Sequence, residues 1–418
     1  MQKKDCVLLK CCRLCGNKSI IKVFDLGNTP LANSYSNKNV SNKLRKYPLS
    51  LHLCNDCGHL QLSHSINPKK MFSNYLYKTN TSYKNFLHFK NYAKKIKKIF
   101  RGKHGKILDI ASNDGTFLNF FNKKKFFRVG IDPAKNLKKL TTSKGIIQID
   151  DFFTEKISVK IKREYQKFDI ITANHVCAHV EDLNDFFKGV KNLLKDDGIF
   201  IFEVSYRGSV LKKNTFDTIY HEHLDYHALY PISKFIKKFN LKLFDFEITE
   251  AQGGSLRVYV SKNLRIRNQK KINNQLIKEK KIYKLFNINT YKIFKEKINN
   301  CKVQLLKILK DFDKKNYNIA GYGAAAKTTT LLNYFNLNKN KTIKFIFDDN
   351  KLKQGLYLPG TQIKILDPRY LFQKNLDILI IFAWNYSDII IKSIKKNKFK
   401  KGKKLKFLVP FPKPKILQ

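Results

Sequence analysis

The sequence is poor in several features, and each shortage excludes something. Its 418 residues hold one tryptophan and two methionines, and 32 acidic residues stand against 83 basic ones. No apolar run approaches the roughly 20 residues that a membrane-spanning helix needs. The early Val7-Leu8-Leu9 is too short for a secretory signal and is flanked by lysines and cysteines. A cytoplasmic chain with no membrane partner is the expectation. Cysteine almost disappears after residue 60, leaving only Cys177 and Cys301 of the eight, and these read as packing residues. Arginine is scarce beside lysine, which weighs against a nucleic-acid binder despite the formal charge of +51. The lysines run through the whole chain with Asn, Ile, Phe and Tyr, the bias of AT-rich codons, instead of gathering on one face or tail. No specific nucleic-acid partner is expected. The charge would still favour a polyanionic small molecule such as a pyrophosphate-bearing substrate.

The length predicts two or three domains, each able to bury its own core. Cys12-Arg-Leu-Cys15-Gly16 and Cys54-Asn-Asp-Cys57-Gly58 are two Cys-x-x-Cys knuckles with 38 residues between them. Two thiolate pairs, each followed by a glycine that lets amides turn toward sulfur, suit tetrahedral zinc. With no open coordination position the metal is expected to be structural, holding together a segment too small to fold on its core alone. Cys11, His52 and His59 lie nearby as substitutes, but the spacing selects Cys12, Cys15, Cys54 and Cys57. Tyr47–Cys54 reads as a strand entering the second knuckle, and Leu60-Gln61-Leu62 as one leaving it.

Further on, an amphipathic helix is predicted from Phe86, Phe89, Tyr92, Ile96 and Ile99. Strands follow at Lys106–Asp109, Arg128–Asp132, Ile146–Ile149, Phe168–Ala173 and Gly198–Glu203, with a helix at Leu183–Leu194 and an Asp196-Asp197-Gly198 turn. The first strand runs into Asp109-x-Ala111-x-Asn113-x-Gly115, small residues that admit close backbone approach. Ala111 and Asn113 stand where glycines are usual, and Asn tolerates left-handed angles well. Asp132, ending the next strand, can take two ribose hydroxyls. Asp150-Asp151 ends the third strand, where the Asp151 side chain can meet an adenine amino group, and Asn174 ends the fourth, facing the methyl-donor pocket that such a turn implies; a solvated loop residue is the equal alternative for each. The turn resembles the first motif of S-adenosylmethionine (SAM) methyltransferases.

Two clusters suggest the chemistry. His175-Val-Cys-Ala-His179 puts His179 at the start of a helix over the sheet's functional edge, and Tyr220-His221-Glu222-His223 packs titratable groups side by side. Buried polar groups are costly without partners, so such a cluster either faces solvent or performs chemistry. Histidine is a ready general base, a carboxylate such as Glu222 can orient it or share its proton, and tyrosines can donate to an oxyanion. The His-Glu-His spacing is wrong for a helical metal site. After a lysine-rich helical region, Asn268–Lys315, a second strand-loop-helix opens at Gly321-x-Gly323-x-x-Ala326-Lys327, with Asp348-Asp349 at the next strand end and a buried strand at Asp377–Trp384. It loosely fits the dinucleotide fingerprint and nearly fits a P-loop, and its helix N-terminus would suit a phosphate. An unliganded Rossmann-like half is the open alternative.

Taken in order, the two knuckles, Tyr75-x-Tyr77, Asp109–Gly115, Ala173–Val180, Tyr220–His223, Gly253–Arg257 and Gly321–Lys327 resemble the nucleotide-sugar C-methyltransferases of the tetronitrose C3-methyltransferase type, across essentially the whole chain. The resemblance implies an α/β protein in three parts. These are a zinc-knuckle domain over residues 1–70, a class I Rossmann-like SAM-methyltransferase domain over 71–265, and a helical connector with a second Rossmann-like domain over 266–418. It further implies a nucleoside-diphosphate 4-keto-6-deoxy sugar between the last two domains, with His223 as base and Tyr77, His179, Tyr220 and Glu222 around the sugar. The enolate would attack the sulfonium methyl, and zinc would take no part in that step. Thr79 and Thr81 stand where relatives often carry serine and keep the hydroxyl. A SAM-dependent RNA methyltransferase, an N- or O-methyltransferase of a sugar, and a non-enzymatic partner subunit are the competing readings; the oligomeric state is left open.

Overall fold

The alternation of apolar strands and amphipathic helices after residue 80 builds one twisted sheet in a computed structural model of the chain, which describes residues 5–41, 43–72, 83–100, 102–263, 268–337, 342–396 and 405–417. In chain order its strands are β1 (Gly105–Ile110), β2 (Phe126–Ile131), β3 (Ile147–Ile149), β4 (Phe168–Asn174), β5 (Leu194–Ser205), β6 (Lys242–Thr249) and β7 (Ser255–Ser261). Among the described residues they lie in the order β6-β7-β5-β4-β1-β2-β3. The first five run parallel, and β7 is antiparallel to both its neighbours. Strand order reverses between β1 and β4, and ligands of such sheets sit outside the carboxyl ends of the strands at that point.

The core follows the sequence periodicity. The helix Tyr83–Ile99 buries Tyr92, Ala93 and Ile96 against Phe117, Leu118, Phe121 and the sheet. Phe86, at the same helical spacing, stays 36% exposed. The helix Leu183–Leu193 begins later than a start at His179 would require: Asp182 is its N-cap, its carboxylate accepting from Asn184 N and Asp185 N. A carboxylate caps a helix far better than the residues around His179 can, so His179 lies in a turn before the helix. Asp196-Asp197-Gly198 is also no separate turn. It forms an irregular stretch within β5, where pairing with β4 shifts register between Leu194 and Ile199.

The chain is organised as two units. The first comprises Met1–Ile21, His52–Ser209 and Leu224–Asn287; the second comprises Lys22–Leu51, Val210–His223 and Ile288–Gln418. The second unit has its own sheet, with β8 (Ile319–Tyr322), β9 (Ile343–Phe347), β10 (Lys364–Leu366), β11 (Ile378–Ile381), β12 (Lys406–Val409) and β13 (Lys415–Leu417) in the order β10-β9-β8-β11-β12-β13. All pairs are parallel except the last. The helix Ile288–Lys314 presents Tyr291, Phe294, Ile298, Cys301, Leu305, Leu309 and Phe312 as its buried stripe. Among the described residues no helix is long and apolar enough to cross a membrane.

Candidate functional site

In the first unit the four knuckle sulfurs lie within 4.8 Å of one another. Cys12 and Cys57 are 3.5 Å apart, as are Cys15 and Cys54. A tetrahedron with zinc–sulfur bonds of about 2.3 Å has edges of about 3.8 Å, so the cage has the size for zinc. The hydrogen bond between Cys12 and Cys57, together with burial, holds the Cys12 thiol far above its ordinary pKa, and burial raises Cys15 to about 12. A divalent cation would displace those protons. The substitute ligands fall away: Cys11 is exposed, and His59 directs Nε2 to Asp225 Oδ1 at 2.8 Å.

At the carboxyl end of β1 the chain turns tightly, with Ala111, Asn113 and Gly115 at φ of 57°, 51° and 70°. The non-glycine residues hold this left-handed geometry because the loop is bonded to the next strand. Ala111 N donates to Ile131 O at 2.7 Å, and Asn113 N donates to Asp132 Oδ2 at 2.9 Å. The other Asp132 oxygen accepts from Ala134 N at 2.8 Å. Asp132 is thus a brace for the loop, and each oxygen retains a lone pair for a hydroxyl. Asp109 is buried and accepts from Thr172 Oγ1 at 2.7 Å and Asn174 Nδ2 at 3.3 Å. Burial pushes its pKa up to about 7. Asn174 Oδ1 is buried without a hydrogen-bond partner among the described residues. An orphaned acceptor beside a buried acid is what a ligand bringing its own donors would satisfy. Asp151 is exposed and accepts from its neighbour Phe152 N. Its neighbour Asp150 carries a buried oxygen with no partner among the described residues, its other oxygen meeting Lys138 at 2.6 Å.

A network that sequence reasoning did not assemble lies at the end of β5. Glu203 is 1% exposed and accepts from Arg257 Nε at 2.8 Å, with His88 Nε2 at 2.9 Å and His175 Nε2 at 3.2 Å. Burial alone would raise its pKa, but these partners outweigh burial and hold it well below the usual carboxylate range. Glu203 and Arg257 are directly opposed across β5 and β7. Opposite charges facing each other on neighbouring strands are the signal that could have found the pair, once the register was known. Arg257 also covers the Tyr92 ring at 3.7 Å from its centroid. His175 has φ of 56°, an uncommon angle for a bulky residue that points to a constrained site. His179 packs edge-on against Phe72, ring centroids 5.7 Å apart.

In the second unit the His223 ring is held at both nitrogens. Nδ1 lies 2.7 Å from Thr218 O, and Nε2 lies 3.0 Å from Tyr220 Oη. A carbonyl can only accept, so Nδ1 carries the hydrogen and Nε2 presents its lone pair to the tyrosine hydroxyl. The Tyr220 and His223 rings sit 4.1 Å apart. Glu222 is 4% exposed, accepts from Asn33 Nδ2 at 2.7 Å, and is pushed up to about 7 by burial. Next to Thr218, buried Asp217 accepts from Trp384 Nε1 at 2.6 Å. Tyr77, like Tyr75, Thr79 and Thr81, lies outside the described residues.

The glycine loop of the second unit uses its own amides. Gly323 N donates to Phe347 O at 2.7 Å, Ala324 N to Asp348 Oδ2 at 2.7 Å, and Ala325 N to Thr328 Oγ1 at 3.3 Å. Ala324 O accepts from Tyr35 Oη at 2.7 Å and Lys353 Nζ at 2.8 Å.

Three stretches of the chain are similar to known families. Residues 12–72 match the family described as "Putative zinc binding domain", 83–245 the "Methyltransferase domain" and 250–412 the "C-methyltransferase C-terminal domain". C-methyltransferase NovU from Streptomyces niveus is 28% identical over 408 residues, spanning 97% of this chain and 96% of that protein. Among solved structures, a S-adenosylmethionine-dependent methyltransferase from Clostridium acetobutylicum is 19% identical, covering 44% of this chain and 92% of its own, with a TM-score of 0.34. The PH0226 protein from Pyrococcus horikoshii is 17% identical, covering 46% and 97%, with a TM-score of 0.34.

Proposed function

Because the chain is a SAM-dependent methyltransferase built from the zinc-binding, methyltransferase and carboxyl-terminal domains of the C-methyltransferase family, we propose that it methylates a carbon next to the ketone of a nucleoside-diphosphate 4-keto-6-deoxy sugar. The observation that supports this reading most is the His223 ring, with Nδ1 tied to Thr218 O and Nε2 facing the Tyr220 hydroxyl. A ketone acidifies the neighbouring carbon. His223 Nε2 takes the proton from that carbon, and the C–H pair moves into the enolate. Tyr220 Oη, released from Nε2, donates to the enolate oxygen. Glu222, poised at about 7, can give or take a proton at neutral pH. SAM, when bound, supplies a methyl group on a positively charged sulfur that departs neutral. In this reading Asp109, Asp132 and Asn174 hold the donor through its amino and hydroxyl groups, with Ala111, Asn113 and Gly115 as the close-approach loop and Asp151 at the adenine end. His179 and Tyr77 belong to the sugar's surroundings. The four cysteines hold zinc as a structural ion.

The test is methyl transfer from SAM to a panel of nucleotide-linked 4-keto-6-deoxy sugars, with bulk RNA assayed alongside and the new methyl located by NMR. A carbon–carbon bond beside the ketone is expected, with the rate falling by at least about 100-fold in His223→Ala. A methyl found on nitrogen or oxygen would remove His223 as carbon-acid base. Transfer to RNA alone would sink the sugar.

A further inference from the structure

Between the first two thiols stands Arg13, whose side chain leaves the knuckle and is only 6% exposed. Its Nε donates to both oxygens of Asp225, at 2.9 and 3.1 Å. Nη1 donates to Glu181 O at 2.9 Å, and Nη2 donates to Val180 O. Asp225 is completely buried and also meets His59 Nε2 at 2.8 Å. Burial would raise the pKa of this carboxyl, but Arg13 and His59 outweigh it and hold the group at about 2. The backbone of Arg13 is fixed as well, its N–H donating to buried Gln61 Oε1 at 2.8 Å, while Gln61 Nε2 holds Cys11 O at 3.1 Å.

The two carbonyls that Arg13 holds directly follow His179. On the other side of that residue, Ala178 O accepts from Leu224 N at 2.7 Å, and Cys177 O lies 3.1 Å from His227 Nε2. His179 therefore sits in a turn clamped on both sides, and the downstream clamp is one guanidinium. Arginine suits this because its fork is rigid and reaches a carboxylate and two carbonyls at once. We infer that Arg13 is the positioning residue through which the zinc knuckle sets the His179 turn. A metal that fixes Cys12 and Cys15 fixes the backbone between them, and that backbone aims the guanidinium. The inference rests on the reading that His179 stands among the groups around the sugar.

The experiment uses the zinc-loaded full chain with labelled histidines, the His179 signal being assigned from His179→Ala. In Arg13→Lys, bound zinc and SAM affinity are expected to stay unchanged while the His179 imidazole resonance moves. kcat should fall between about 10- and 100-fold, the scale of a small misplacement, with little change in KM. The loss should largely vanish when Arg13→Lys is combined with His179→Ala. Asp225→Asn, which leaves the knuckle intact and loosens the anchor, should move the same resonance, and serves if Arg13→Lys does not fold. An unmoved His179 signal in either folded variant, or losses that simply multiply in the double variant, overturns the inference. If the resonance moves but His179→Ala turns over normally, the positioning stands and the catalytic reading of His179 falls.

Discussion

Each unit carries a strand and a tight loop, followed in the first by a single 3-10 turn, Leu118–Phe120, and in the second by the helix Ala326–Tyr334, and the two loops are wired alike. In the first, Ala111 N bonds Ile131 O and Asn113 N bonds Asp132; in the second, Gly323 N bonds Phe347 O and Ala324 N bonds Asp348. In both, an acid ending the next strand braces the loop. They differ in what is left over. Around the first, Asp109 is buried with its pKa raised and Asn174 Oδ1 has no partner among the described residues. In the second, Thr328 takes the next amide, and Tyr35 and Lys353 take the Ala324 carbonyl. The second loop also has the better glycine pattern: a Cβ on Gly323 would lie 2.7 Å from Ala383 Cβ. Its glycine answers to packing. A glycine motif therefore marks a tight turn, and an unspent polar group marks a place for a ligand.

The comparison breaks most severely if the metal is removed from the unit that holds the first loop. Chelation, or Cys54→Ser, should remove the binding free energy of a structural zinc, about 10 kcal/mol or more in small metal domains. SAM binding is then expected to disappear together with a large drop in melting temperature, both measured on one sample. A narrower cut is Asp132→Ala, which strips two amides of their acceptor. Charge-assisted hydrogen bonds contribute about 1.5–3 kcal/mol each; if the equivalent of one is lost from the order of the loop, calorimetry should find SAM affinity weakened about 10- to 100-fold. The matching Asp348→Asn should cost about 1–2 kcal/mol of stability and leave SAM affinity unchanged.

Protonation sharpens the contrast further. Asp109 and Glu222 both titrate near 7 when folded, against 3.8 and 4.5 ordinarily, so the folded state binds more protons than the unfolded one between those limits. The cost of burying the ionised groups is absent below about 4, grows with rising pH and is complete above about 7. Without ligand, these two groups contribute a fall in melting temperature from pH 5 to pH 8, against the rise that buried His227, lowered to about 4, contributes below about 6.5. Asp109→Asn and Glu222→Gln should each flatten part of that slope. The smallest effect is expected from Ala111→Gly. Relief of a left-handed alanine, worth about 1–2 kcal/mol, is partly offset by glycine's entropy, leaving a gain of a few tenths to about 1 kcal/mol in chemical denaturation.

Much of this was legible in the sequence because it is local. The Cys-x-x-Cys spacing brought four sulfurs together, and strand periodicity located β1 to β5 within a few residues, each acid falling at a strand end. What escaped depends on residues far apart in the chain. Glu203 meets Arg257 and His88 across 54 and 115 positions, and Arg13 meets Asp225 across 212. No spacing rule reaches so far. The apolar pattern continues through the turn and so favours a helix start at His179, whereas the boundary is set by a single carboxylate, Asp182.

The interleaving of the two units bears on how this protein is made and on how it can evolve. The segment with Tyr220, Glu222 and His223 belongs to a body otherwise supplied by Lys22–Leu51 and Ile288–Gln418. A nascent chain that has reached Asn287 holds every residue of the first unit, yet Ile288–Gln418, the largest stretch of the body that seats His223, is still to be translated. Genetic recombination at one point cannot transfer either unit whole, since each is cut from three stretches of the chain. The unit that holds His223 and the unit that holds Asp109–Gly115 must be inherited together.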